Sequence, residues 1–264
     1  MFEGHVAIRP YGFKSRSEHF FKRRFECNPY NLHNMKRILS IETSTSVCSV
    51  AIHEDGKCTA LKELNVPNAH SEKLTVLIES ILKEKNLQVS DCNAVAISKG
   101  PGSYTGLRIG TSVAKGLCYA CNLPLITVDT LQAIALSCKE TVKNDNADNV
   151  YMPMIDARRM EVYTAEWSQA MTNLRETYSL IVDENTKQNF DSNKHYYLCG
   201  DGSEKCKELL ECENITFVPD IQATAKTIGD IAGKMFDNGE FADVAYFEPF
   251  YLKEFQATTP KKLL

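Results

Sequence analysis

The sequence is missing several patterns that would assign it to a membrane, secreted or metal-dependent class. No window approaches 18 consecutive apolar residues, so we expect no membrane-spanning helix. The N-terminus has no apolar stretch followed by small residues, which argues against a signal peptide and favours a cytoplasmic protein. The six histidines form no HxxxH or HExxH pair, and no GxSxG sequence is present. These absences argue against a mononuclear zinc site and a serine-hydrolase elbow.

Clustered positive charge is missing from most of the chain. Residues 1–34 contain six Lys and Arg against three Glu, a net charge of +3, so the formal net charge of −4 leaves −7 for residues 35–264. Binding to nucleic acid needs clustered Lys and Arg, because they neutralise phosphates. An acidic body of this kind is a poor candidate for binding RNA unaided. If RNA is involved, we expect a partner to bind it.

The ten cysteines do not show the spacing of a disulfide framework, and they stand where small apolar residues would fit. This usage is typical of reduced packing cysteines in a cytosolic protein, and it applies to Cys48, Cys118, Cys121, Cys138 and Cys199. The one CxxC pair, Cys118 and Cys121, has no second pair at zinc spacing. A redox function for this pair remains an alternative, and it would require both thiols to be exposed.

Hydrophobic periodicity predicts three antiparallel strands followed by crossover helices, and then a weaker repeat of the same plan. Two halves of this type favour an α/β, actin-like (ASKHA, ribonuclease H-like) duplicated two-lobe fold with mixed sheets flanked by helices. We predict a start at Met35, preceded by a disordered or non-native extension (1–34). The first lobe (35–138) is followed by a linker (139–149) and the second lobe (150–220). A C-terminal helix and strand pack back on the first lobe (221–252, with the strand over Tyr246–Leu252), and a tail follows (253–264).

The stretch AISKGPGSYTGLRIG, residues 96–110, places a glycine-rich turn between a strand and a helix. A dinucleotide motif would need its third glycine one place before Gly106, and a P-loop would need a lysine where Leu107 stands. Neither motif is satisfied. The alternative is structural, because Gly106, Gly110 and Ala114 form a small-residue ridge that lets another helix or strand approach.

Two further turns are candidates for a phosphate site. SIETSTSVCSVAI, residues 40–52, follows Glu42 with the hydroxyls of Thr43 and Ser44, which could donate to a phosphate or to their own backbone. IDARRMEVYTAEW, residues 155–167, ends a strand at Asp156 and places Arg158 on a turn. The Asp156 carboxylate would repel phosphate unless a metal intervened, and the alternative is an ordinary charged hairpin turn.

Six segments occur in order over residues 37–252: RILSIETSTSVCSVAI, AHSEKL, GPGSYTGLRIG, LPLITVDTLQAIA, DARRMEVYTAEW and EPFYL. In these segments the chain resembles the bacterial TsaB (YeaZ) family, with which nearly everything after Met35 agrees. The resemblance implies an actin-like fold and a role in forming N6-threonylcarbamoyladenosine next to the anticodon of ANN-reading tRNAs. It also implies that TsaD carries the catalysis and that TsaE, an ATPase, joins the complex.

The same resemblance implies that this chain alone binds no cofactor. ATP, threonylcarbamoyl-adenylate and a metal would be used by the partner subunits, and tRNA would be contacted only through the complex. A homodimer is the other assembly expected of the isolated chain.

Two motifs of the catalytic relative are replaced in this chain. TsaD proteins have an HxxxH metal pair where this chain has Thr130 and Ile134, and a glycine-rich turn where it has Asp156. Neither threonine nor isoleucine can replace an imidazole ligand. We therefore predict a non-catalytic scaffold with no catalytic or metal-binding residues. Its vestigial phosphate and turn motifs would be Glu42, Thr43, Ser44, Gly100, Pro101, Gly102, Ser103, Asp156 and Arg158.

The resemblance further implies that helices near 70–86 and 105–120 pack against a partner, either TsaD or a second copy. The predicted surface is His70, Leu74, Leu77, Ile78, Ile81, Tyr104, Gly106, Leu107, Gly110, Ala114 and Leu117. A bulky residue at Gly110 is then expected to weaken the TsaD complex and to leave the monomer folded. Besides the redox protein, the alternative is an enzyme: an active actin-like phosphotransferase or a glycoprotease-like metalloenzyme.

Overall fold

The computed structural model describes residues 35–65 and 70–252. The predicted extension over 1–34 and the predicted tail over 253–264 lie outside the described residues. From Lys36 onward, contacts join the chain into one compact unit that contains two five-stranded mixed sheets. No helix within the described ranges is long and apolar enough to cross a membrane.

The first sheet has the spatial order β3-β2-β1-β4-β5. Strands β1 to β3 are antiparallel neighbours, and β4 and β5 run parallel to β1. The hairpin between β2 and β3 turns at Asp55 and Gly56, which both have positive φ (48° and 78°), as a tight hairpin requires. The strands are β1 (Arg37–Glu42), β2 (Cys48–Glu54), β3 (Lys57–Leu64), β4 (Ala94–Gly100) and β5 (Leu125–Asp129).

The second sheet repeats this arrangement. Its spatial order is β10-β9-β6-β7-β8, with β6 to β8 antiparallel and with β9 and β10 parallel to β6. Read from the hairpin edge, both sheets have the chain order 3-2-1-4-5. This repetition confirms the predicted duplicated, actin-like α/β fold. The strands are β6 (Asn149–Asp156), β7 (Glu161–Ser168), β8 (Asn173–Ile181), β9 (His195–Cys199) and β10 (Ile215–Val218).

Five α-helices occur in the described residues: α1 (His70–Glu84), α2 (Tyr104–Cys121), α3 (Thr130–Val142), α4 (Lys207–Leu210) and α5 (Ala225–Asp237). Helices α1 and α2 cover one face of the first sheet through a shared apolar core. Helices α3 and α5 contribute to a second core that contains residues of both sheets. Side chains that accept backbone N–H groups cap α2, α3 and α5 at their starts, namely Ser103, Asp129 and Thr224.

Helix α5 returns to the first sheet and lies against β1 and β2. The N–H of Ala225 donates to the Ser49 hydroxyl at 2.8 Å, and the His53 ring lies 3.2 Å from the Asp230 carboxylate. Between the lobes, α3 continues to Val142 and β6 begins at Asn149, so the connection is shorter than the predicted linker over 139–149.

The predicted strand over Tyr246–Leu252 is wrong, because the described part of that segment forms no strand. It runs instead along α2, where the Lys115 ammonium donates to the carbonyls of Ala245 and Phe247. The N–H of Phe250 donates to the Lys99 carbonyl at 2.7 Å. Proline at position 249 has no N–H to continue a strand ladder.

Candidate functional site

The glycine-rich turn after β4 is filled by the chain's own backbone. A Cβ atom at Gly102 would collide with the Ser44 carbonyl oxygen, and one at Gly106 would collide with that of Thr43. The Ser103 N–H donates to the Ser44 carbonyl at 2.6 Å, and the Thr43 hydroxyl donates to the Gly106 carbonyl at 2.8 Å. The absence of side chains at the glycines permits this approach. Two of the turns predicted as phosphate motifs therefore bind each other.

The C-terminal segment closes another side of this turn. Gly100 has a φ of +108°, and a Cβ atom there would lie 2.5 Å from the Phe250 carbonyl oxygen. Pro101 follows through a cis peptide bond and is buried. The glycines thus serve three backbone contacts: two with the β1–β2 turn and one with the C-terminal segment.

Glu42 is fully buried at the end of β1, beside these turns. Its Oε1 accepts hydrogen bonds from the N–H and the hydroxyl of Ser44, and Ser98 on the neighbouring strand also hydrogen-bonds the carboxyl. Its Oε2 has no hydrogen-bond partner among the described residues. Burial raises the pKa of Glu42 above its ordinary value, and the hydrogen bonds from Ser44 and Ser98 oppose this rise.

Thr130 and Ile134 perform structural roles in α3. Both side chains are buried, and Ile134 belongs to the core between the sheets. Asp129 caps the helix by accepting the N–H groups of Leu131 and Gln132, and burial raises the pKa of its carboxyl. In the described part of the chain, no three His, Cys, Asp or Glu side chains lie close enough to hold a metal ion.

Asp156 and Arg158 lie on the corresponding turn of the second lobe. The Asp156 carboxylate pairs with the Lys205 ammonium and accepts the Arg158 N–H at 3.0 Å. The N–H of Asp156 donates to Asp201 at 3.0 Å. These bonds fix the turn, and the Asp156 carboxylate neutralises a lysine of its own chain.

Most of the predicted partner-binding residues face the interior. Leu74, Ile78, Ile81, Leu107 and Ala114 are buried in the core beneath α1 and α2. Gly106 and Gly110 are buried against Thr43, where a Cβ atom at either position would collide. The prediction that these seven residues contact a partner is wrong, because five of them are buried in the core and the two glycines pack on the β1–β2 turn of the same chain.

A different set of positions remains accessible on the same two helices. Among the predicted residues, Leu77, Tyr104 and Leu117 are half-buried, and nothing is described of the His70 side chain at the start of α1. Sequence reasoning missed Val76, which is 55% exposed, and Gly116, whose Cβ position is open. The helical repeat could have identified Val76, because residues two positions apart lie on nearly opposite sides of a helix and Leu74 is buried. We define the α1–α2 face as Val76, Leu77, Ile109, Val113, Gly116 and Leu117.

The CxxC pair does not meet the requirement of the redox hypothesis. Cys118 is 1% exposed, its Sγ donates to the Pro124 carbonyl, and burial raises its pKa to about 12. Cys121 is half-buried. A thiol with so high a pKa forms little of the reactive thiolate, so the interpretation as packing cysteines is preferred.

Comparison with known proteins decides the family. A family model described as tRNA N6-adenosine threonylcarbamoyltransferase (TsaD) matches residues 65–261. The Escherichia coli tRNA threonylcarbamoyladenosine biosynthesis protein TsaB is 31% identical over 223 residues, which cover 82% of this chain and 94% of that protein. The chain belongs to the TsaB (YeaZ) family. The Haemophilus influenzae TsaB protein is 36% identical over 129 residues, covering 49% of this chain and 52% of that protein.

Two further matches are to a protein named as a transferase and to a solved structure. A Wolbachia protein named tRNA N6-adenosine threonylcarbamoyltransferase is 36% identical over 117 residues, covering 39% of this chain and 35% of that protein. The solved structure of YeaZ from Pseudomonas aeruginosa has a TM-score of 0.72 and 24% identity, covering 83% of this chain and all of that one. That structure supports the fold, and the sequence relatives support membership of a tRNA threonylcarbamoyladenosine biosynthesis family.

Proposed function

We propose that the chain is a non-catalytic scaffold that binds a TsaD-type transferase, together with a TsaE-type ATPase. The complex would form N6-threonylcarbamoyladenosine next to the anticodon of ANN-reading tRNAs in the cytoplasm. ATP, threonylcarbamoyl-adenylate and a metal would be used by the partner subunits, which would also contact the tRNA. Family membership supports the pathway.

One observation supports the scaffold role most directly. The glycine-rich turn and the Thr43–Ser44 turn are bonded to each other at the place where a phosphate-binding enzyme would need open turns. Releasing either turn would break hydrogen bonds and uncover the start of α2. A phosphotransferase reaction at these turns would therefore require a rearrangement of the chain's own backbone.

The α1–α2 face supports the proposal that the partner docks there. It places apolar side chains and a glycine with an open Cβ position on two neighbouring helices. A glycine on an exposed helix face lets a second helix come close. In the absence of the transferase, a second copy of the chain would use the same face to form a homodimer.

Reconstitution of tRNA modification tests the catalytic assignment. Unmodified tRNA, ATP and a source of threonylcarbamoyl-adenylate are incubated with the transferase and the ATPase, with and without this chain. We expect modification to depend on this chain in the presence of the transferase, and to be absent with this chain alone. Modified nucleoside is quantified after digestion. Product from this chain alone would contradict the proposal.

Replacing Val76 with glutamate tests the α1–α2 face. Val76 is 55% exposed on a helix, where glutamate is a good helix former, so the monomer should keep its stability. A carboxylate in place of this exposed apolar side chain should weaken transferase binding about tenfold or more, which corresponds to about 1.4 kcal/mol. Calorimetric titration measures the affinity.

The matched control is Ile181→Glu. Ile181 is 70% exposed at the end of β8, on the second sheet, so the same change of charge is made away from the α1–α2 face. Binding by this variant should equal that of the wild type. Equal affinities for both variants would show that the transferase does not use this face.

A further inference from the structure

The turn between β6 and β7 presents two arginines in a backbone conformation that side chains disfavour. Arg158 and Arg159 have φ values of 70° and 50°, and both residues are exposed. A left-handed conformation costs a residue other than glycine roughly 1–2 kcal/mol. The turn is closed by backbone bonds from Ala157 to Glu161 and from Glu161 to Arg158, and by the Asp156 carboxylate, without either arginine side chain. The fold therefore does not need arginine at either position.

The acidic groups nearest to the turn are already occupied. Asp156 pairs with Lys205 and accepts the backbone N–H of Arg158, and the Glu161 carboxylate accepts the Ser179 hydroxyl. Within the described ranges, neither guanidinium has an ionic, hydrogen-bonding or ring partner. Two positive charges are thus held on a short, bonded turn and are available to another molecule.

A pocket of opposite charge lies beside this turn. It is a depression open to solvent with a volume of about 430 Å³, and its lining includes three carboxyl groups and no Lys or Arg. Asp201 on its wall accepts the N–H of Asp156, so the pocket and the arginine turn are in direct contact. Glu204 and Asp220 have no ion pair in the described part of the chain. The lining is Gly200, Asp201, Ser203, Glu204, Pro219, Asp220, Ile221 and Gln222.

We propose that Arg158, Arg159 and this pocket form a docking surface for a protein that carries a pair of carboxylates next to a lysine or arginine. Guanidinium groups bind carboxylates through two parallel hydrogen bonds, and arginine is enriched among residues that dominate binding energy. The pocket would receive the basic side chain of the partner. The surface carries charges of both signs, which favours a protein partner over RNA. The two arginines would attract a polyanion, but the three carboxyl groups would repel it.

This surface belongs to the second sheet and is separate from the α1–α2 face, so both can be occupied in one complex. The inference rests on the proposed function for its set of partners, which are the other proteins of the complex. It adds a second contact surface and the charge pattern that the partner must carry.

The variant Arg158→Asn, Arg159→Asn tests the proposal. Asparagine removes both charges and tolerates the left-handed conformation, so the melting temperature should stay constant or rise. The wild-type chain and the variant are titrated against the purified TsaD-type protein, the TsaE-type protein and unmodified tRNA. We expect affinity for one of the two proteins to fall about tenfold or more, and the result with tRNA to be unchanged.

A second variant, Glu204→Gln with Asp220→Asn, tests the pocket and should weaken binding of the same protein. Unchanged affinity of the arginine variant for both proteins overturns the inference, and so does a loss confined to tRNA, which would assign the arginines to RNA. A wild-type chain that binds neither protein contradicts the proposed function itself. Loss of binding together with a lower melting temperature would show that the arginines act in folding, which also overturns the inference.

Discussion

Replacing Gly106 with alanine is expected to lower the free energy of unfolding by about 3 kcal/mol. The added Cβ atom would collide with the Thr43 backbone carbonyl, which cannot rotate away as a side chain would. Hydrogen bonds hold the two segments together on both sides, through the Thr43 hydroxyl and through Ser103 and Ser44. Urea unfolding followed by circular dichroism measures the change.

Gly116→Ala in the same helix is the matched control. No atom lies within 4 Å of its Cβ position, so the substitution only replaces glycine with a better helix former. We expect a gain of about 1 kcal/mol. If both variants were equally stable, the close contact between the glycine turn and the β1–β2 turn would be contradicted.

The same contact reverses the expectation for Gly110. Sequence spacing shows that Gly106, Gly110 and Ala114 lie on one side of the helix, but it does not show what that side faces. In the fold Gly110 lies against the Thr43 hydroxyl, so a bulky residue there would damage the monomer before it reached any partner. A loss of transferase binding in a Gly110 variant would therefore say nothing about the interface.

The helices and strands could be predicted because their bounds depend on residues that are close together in the sequence. The Asp55-Gly56 turn, the Ser103 and Asp129 caps and the apolar stripe of α1 are all properties of neighbouring residues. The C-terminal segment could not be predicted in this way. Its aromatic residues are typical of a strand, whereas its conformation depends on bonds to Lys99 and Lys115, more than 100 residues away.

The partner surface was harder to predict for a physical reason. An amphipathic helix shows one apolar stripe in its sequence, and in both α1 and α2 that stripe covers the chain's own sheet. The positions left for a partner border the stripe, as Leu77 and Leu117 do, or stand outside it, as Val76 does. Hydrophobicity alone does not separate these positions from the core.

Replacing Glu42 with glutamine is expected to change how stability depends on pH. Burial raises the pKa of Glu42 above its ordinary value of 4.5 in the folded chain. The folded chain therefore binds a proton that the unfolded chain has released, and wild-type stability falls as pH rises from about 4.5 to the folded-state pKa. Glutamine keeps an oxygen for the Ser44 hydrogen bonds and does not titrate.

The difference in unfolding free energy, variant minus wild type, should thus increase with pH by up to about 1.4 kcal/mol per unit. Urea unfolding at intervals between pH 5 and 8 measures it. Glu54→Gln is the control, because hydrogen bonds from Lys85 and then Arg37 lower the pKa of Glu54 to about 2. Glu54 is ionised in both states above pH 5, so that difference should stay nearly constant.

A constant difference for Glu42→Gln would show that the buried carboxyl is ionised throughout this range. The Oε2 atom would then carry a charge with no partner among the described residues, at the end of the strand where the two turns meet. An increasing difference would instead show a neutral carboxylic acid there. In that case the junction is stabilised by hydrogen bonds and backbone contact alone, and it has no need of a bound cation to balance Glu42.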